Sequence, residues 1–186
     1  DPDEQQGIGL DPLADEGEID QGQRDAVTDV FAVPGACILV RSDLFHTVGG
    51  FDPEMRFRGD DVDLCWRAQL AGARVMVVPL AVARHREMLA DRSVIDDTHR
   101  LQLRHATRSM LSCWGLARLA RILPQAILLT IVEMIFAIVH GRFRHARELM
   151  DAWTWNLRRL PGIHRRRMAI AVYRQTSDAD VHRLQV

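Results

Sequence analysis

The sequence predicts an α/β segment followed by an all-helical region. Three observations carry that reading: apolar, β-branched runs flank a helical stretch between Val30 and His85, helical periodicity takes over from Thr98, and charge divides along the chain in the same way. The 186 residues suffice for one domain, and 47% hydrophobic with 26% charged residues is a globular composition. A formal charge of −1 conceals two unlike halves. Residues 1–63 hold 16 Asp/Glu against 4 Arg, whereas residues 99–174 hold 14 Arg against 3 Asp/Glu. Lysine is absent, so all 24 basic residues are arginine. Cys37, Cys65 and Cys113 are odd in number and form no CxxC pair, which argues against a disulfide framework or a cysteine zinc site.

Residues 1–29 mix Gly, Pro, Gln and acids without periodicity and are expected to form an acidic loop or disordered arm. They carry no signal-peptide pattern, and the chain reads as a segment of a longer protein. Phe31 to Val40 is apolar enough for a buried strand with a bend at Pro34-Gly35. Ser42 is placed to cap a short helix, Asp43 to Val48, ended by Gly49-Gly50. Phe51 to Gly59 is a loop. Asp60 to Ala71 is the best-marked helix here: acids fill its first turn, where the helix dipole favours them, and Gly72 follows. Arg74 to Pro79 reads as a strand, with Ala81 to His85 as an extended continuation. Helices are expected at about 98–121, 124–140, 143–158 and 162–173, punctuated by Pro124, Gly141 and Pro161-Gly162. The resulting units are 1–29, 30–93 and 94–186.

Three sequence blocks carry the chemistry. Gly49-Gly50-Phe51-Asp52-Pro53 comes first, then Gly59-Asp60-Asp61-Val62-Asp63-Leu64-Cys65-Trp66-Arg67, then Ala71-Gly72-Ala73-Arg74-Val75 through Pro79 to His85. In this order and spacing they resemble the acceptor-side half of family 2 glycosyltransferases, inverting enzymes of the GT-A fold. Gly17 to Gln23 resembles the approach to this block in actinobacterial members. The resemblance implies a partial GT-A, Rossmann-like nucleotide-diphospho-sugar transferase half, with the helical region matching more loosely. A nucleotide-sugar donor and a glycan or lipid-linked acceptor of the cell envelope would be its substrates.

An inverting transfer is a single displacement, so it needs a base for the acceptor hydroxyl and a cation for the departing diphosphate. The resemblance makes Asp61, second acid of the pair Asp60-Asp61, the catalytic base. It implies acceptor contacts for Asp60 and Asp63, which at i and i+3 can share a helix face. Arg56 and Arg58 are acceptor-loop candidates, since guanidinium suits phosphate. Trp66, spaced helically from Val62 and Leu70, reads as core, with carbohydrate stacking as its second role. His85 would complete a Mg²⁺ or Mn²⁺ site whose DxD carboxylates lie upstream. Neither Asp1-Pro2-Asp3 nor Asp61-Val62-Asp63 has the context of that motif, so this segment alone should lack turnover. A non-catalytic, acceptor- or partner-binding relic is the alternative reading.

Ile122 to Val139 is an apolar run of about 27 Å as a helix, slightly short of a ~30 Å hydrocarbon core, and Glu133 sits within it. Arginines flank both of its ends and interleave with Trp114, Trp153 and Trp155 along the region, among them Arg108, Arg118, Arg121, Arg142 and Arg165-Arg166-Arg167. That composition suits a helix lying in the interface of an anionic membrane, or packed among its neighbours, rather than a full span; the flanking arginines give no orientation, and the cytoplasmic face of the membrane is the expected location. No nucleic-acid-binding module accompanies the arginines, so DNA or RNA is not an expected partner.

Overall fold

A computed structural model describes residues 8–9, 18–19, 26–55, 57–82 and 98–185. Its strands are two residues each: β1 (Ile8–Gly9) pairs antiparallel with β2 (Glu18–Ile19), and β3 (Thr28–Asp29) with β4 (Met76–Val77). The helices are α1 (Ser42–Thr47), α2 (Asp60–Leu70), α3 (Thr98–Cys113), α4 (Leu116–Val139), α5 (Phe143–Leu157), α6 (Leu160–Tyr173) and α7 (Asp178–His182).

The expected strand from Phe31 to Val40 is not formed. Pro34 has no N–H for a ladder, and Gly35–Cys37 coil into a 3₁₀ turn. The Arg74–Pro79 strand contracts to β4, extended by one bond from Val30 N–H to the Val75 carbonyl. A parallel α/β sheet is therefore not assembled among the described residues. A strand holds its conformation through partners, and the partners here offer only β3.

The helical expectations fare better, although Ser42 begins α1 rather than capping it and the boundary between α3 and α4 is displaced. The first break falls at Gly115, not Pro124. Asp178 of α7 accepts the Gly115 N–H (2.9 Å), placing a carboxylate at the start of α4, and a Cβ on Gly115 would stand 2.5 Å from that oxygen. Any side chain at this position would push the Asp178 carboxylate aside. Pro124 instead lies inside α4, where the exposed Ala120 carbonyl gives up its helical donor on a flank open to water. Gly141, at φ +71°, closes α4: it donates to Ile138, and Arg142 donates to Ala137 (2.7 Å).

The core gathers around α2. Phe31, Trp66, Leu70, Cys113, Trp114, Ile170 and Val181 form one buried cluster drawn from α2, α3, α6 and α7, from the segment after β3, which brings Phe31, and from the α3–α4 link, which brings Trp114. Trp66 meets Phe31 (5.4 Å) and Trp114 (4.8 Å) edge to face, contacts of about 0.5–1.5 kcal/mol each beyond area burial. The amides of Gln175 and Thr176 donate to the Leu70 carbonyl and finish the C-terminus of α2.

Candidate active site

The residues around Asp61 are set by a loop and a helix start. Arg58 and Gly59 both take left-handed backbone, φ +63° and +82°, costly for arginine and easy for glycine. Buried His105 on α3 donates from Nδ1 to the Arg58 carbonyl (2.5 Å), fixing the turn that launches α2. Asp61 then stands in the first helical turn, half-buried. Its Oδ2 accepts from the Gly35 amide (2.9 Å) and its Oδ1 from Val62 (2.8 Å). Each oxygen keeps a lone pair for a further proton or donor. Gly35 lies so near that a Cβ there would touch the Asp61 Cβ at 3.4 Å. Asp60, also half-buried, titrates above the ordinary aspartate value: burial pushes it up, and the Asp61 charge adds to this beyond what His105 and backbone N–H groups offset.

Asp63 does not share an outward face with Asp60. It is fully buried: Arg67 donates to Oδ2 through Nε (2.9 Å) and Nη2 (2.7 Å), Arg166 of α6 also binds Oδ2, and Ser109 reaches Oδ1 (3.2 Å). In this structure α3 and α6 close over that side of the helix, so Asp63 has no outward face. Asp52 of the first block joins the same network, bound by Arg108 Nε (2.6 Å) and Arg166 Nη1 (2.7 Å). Burial alone would raise its pKa. The arginines outweigh burial and hold it below the usual range. Trp66 is likewise core in this structure, which leaves no face for a sugar.

Arg58 is half-buried, its guanidinium 5.8 Å from the Phe57 ring. Arg56 and His85 lie outside the described residues. The donors for Mg²⁺ or Mn²⁺ are not assembled among those described: Asp63 is spent on arginines, and Asp61 is steadied by backbone amides. Sequence reasoning missed His105 and Ser109, whose only signal was a polar residue on an otherwise amphipathic helix. It also assigned Arg108 and Arg166 to a lipid surface, whereas both are withdrawn into the ion-pair network; Arg104 pairs with Asp151 (2.5 Å) and Arg159 with Glu54 (2.8 Å). Trp114 is buried as well.

Among the described residues, α4 is the one helix long and apolar enough to cross a membrane. It starts six residues before the apolar run, which makes it about 36 Å long. Only Ala137 of its 24 residues is buried. Thr130 accepts from Trp153 Nε1 (3.2 Å) and Glu133 accepts from His145 Nε2 (2.8 Å), so its polar side faces α5.

No solved structure matches the chain. It is 46% identical over 71 residues to the pre-mycofactocin glycosyltransferases of two Mycobacterium tuberculosis strains, CDC 1551 / Oshkosh and H37Rv. The match covers 36% of this chain and 15% of each relative, so the chain spans only a small part of their length. The family model described as glycosyl transferase family group 2 matches residues 6–175, and the chain with its Asp60-Asp61 helix start belongs to that family.

Proposed function

We propose that this chain is the acceptor-side part of an inverting glycosyltransferase and that Asp61 is its general base. In the displacement, the acceptor oxygen forms its bond to the anomeric carbon while the bond from that carbon to the nucleotide diphosphate breaks. Asp61 takes the hydroxyl proton as the oxygen attacks. The observation that carries this role is the setting of Asp61. It is a half-buried, reachable carboxylate held by the Gly35 and Val62 amides with lone pairs to spare, whereas Asp63, two residues along the helix, is buried and neutralised by arginine.

Asp60 and Arg58, beside the same helix start, are the residues we assign to the acceptor, with Arg56 in the same loop. The acceptor is a hydroxyl of a cell-envelope glycan or lipid-linked sugar. The Mg²⁺ or Mn²⁺ implied by the family belongs with carboxylates upstream, His85 being this chain's contribution; it would neutralise the leaving diphosphate. The exposed apolar side of α4, with Leu128, Leu129, Val132 and Phe136, is suited to rest in the membrane interface at the cytoplasmic face.

Asp61→Asn in the complete enzyme tests the assignment. General-base loss is expected to lower kcat by about 10²–10⁴-fold with donor binding unchanged. Turnover within a few-fold of wild type would sink it.

A further inference from the structure

We propose that His99, His145 and Glu148 form a binding site for a first-row transition-metal ion, Zn²⁺ foremost, that ties α3 to α5. His99 stands in the first turn of α3. His145 and Glu148 lie at i and i+3 on α5 and so share one helix face. One ligand atom from each of the three comes within 4.8 Å of the others. A tetrahedral zinc site with bonds of 2.0–2.1 Å places its donors about 3.3 Å apart, so the widest pair must close by up to about 1.5 Å. Two imidazoles and one carboxylate are a donor set for zinc, cobalt or nickel rather than for magnesium, which demands oxygen.

The surroundings fit a metal better than a chance ion pair. His99 Nδ1 donates to Glu148 Oε2 (2.8 Å), and the two imidazole rings lie 5.2 Å apart. Arg144 holds the other oxygen, Oε1 (3.0 Å), leaving Oε2 toward the histidines. Glu133 of α4 accepts from His145 Nε2, the arrangement by which a carboxylate orients an imidazole for coordination through its other nitrogen. Glu148 is 11% exposed at its side chain and His145 16%, while His99 at 43% leaves a path from solvent and room for a water as fourth ligand. The site shares no residue with the Asp61 region, and a bound ion would fix α4 to the bundle through Glu133.

The intact protein, stripped with chelator, is titrated with Zn²⁺, Co²⁺ and Mg²⁺. One equivalent of Zn²⁺ is expected to bind and raise Tm, Co²⁺ to give visible d–d bands of a low-coordinate site, and Mg²⁺ to do neither. His99→Ala, His145→Ala and Glu148→Gln should each weaken zinc at least about tenfold. His164→Ala, an exposed histidine of α6, should not. Failure of the wild-type protein to bind Zn²⁺ overturns the proposal without recourse to any variant. So does equal binding by the His99→Ala and His145→Ala variants, or a loss in His164→Ala.

Discussion

α2 and α4 invert the usual relation between polarity and burial. α2 carries Asp60, Asp61, Asp63 and Arg67, yet every residue from Asp63 to Leu70 is buried. α4 is almost entirely apolar, yet it buries Ala137 alone. The charged helix is inside because its charges are matched there: Asp63 meets Arg67 and Arg166, and neighbouring Asp52 meets Arg108 and Arg166. The apolar helix lies outside: α5 meets it along a strip that includes the polar contacts of Thr130 and Glu133, and most of its remaining surface stays exposed. Burial follows from what a neighbour can satisfy. Leu128, Leu129, Val132, Phe136 and Val139 stay exposed, and they form the face we propose for the membrane interface.

The sharpest break in the comparison is Asp63→Ala. It would leave Arg67 and Arg166 buried without their shared carboxylate, at a cost of about 3–5 kcal/mol. Leu70→Ala, on the same helix and equally buried, removes apolar contacts for about 2–5 kcal/mol and gives the scale against which the ionic loss is read. Chemical denaturation of the two variants measures both. If Asp63→Ala costs less than about 1 kcal/mol, the network does not hold α2 in place.

The division of charge was visible in the sequence, but its meaning was not. Residues 1–63 are acidic and 99–174 basic, and part of that split is a pairing between halves: Asp52 with Arg108 and Arg166, Asp63 with Arg166, Glu54 with Arg159. These partners lie 56 to 114 positions apart, beyond any local pattern. Helix positions were legible because periodicity and terminators such as Gly72 and Gly141 are local. The break at Gly115 was not, since the carboxylate that fills it comes from α7, 63 positions on. Strands at 31–40 and 74–79 were overread, because an apolar run states a capacity to pair and not whether a partner strand is present. Asp61 was readable from its place in the second block, whereas the withdrawal of Asp63 depends on α3 and α6 folding over it.

A smaller effect separates the outer face of α4 from the core. Replacing Leu128, Val132 and Phe136 together by Gln should leave Tm nearly unchanged, since exposed positions away from special contacts usually alter stability by no more than about 0.5 kcal/mol each. Flotation with anionic vesicles at low salt should then be lost. A large fall in Tm, or undiminished flotation, would return α4 to the class of packing helices and remove the contrast with α2.

The smallest effect lies within α2 itself, between neighbours of opposite fate. Asp60 is pushed above the ordinary aspartate pKa by burial and by Asp61, so its charged form is disfavoured in the fold. For an acid shifted in that direction the penalty is absent while the group is protonated in both states, below about pH 3.9, and is complete once pH exceeds the folded value. Asp60→Asn should therefore raise Tm slightly at neutral pH, with the gain vanishing in acid, while Asp63→Ala lowers it steeply. Equal losses from the two substitutions would mean that the first turn of α2 is held by both carboxylates alike.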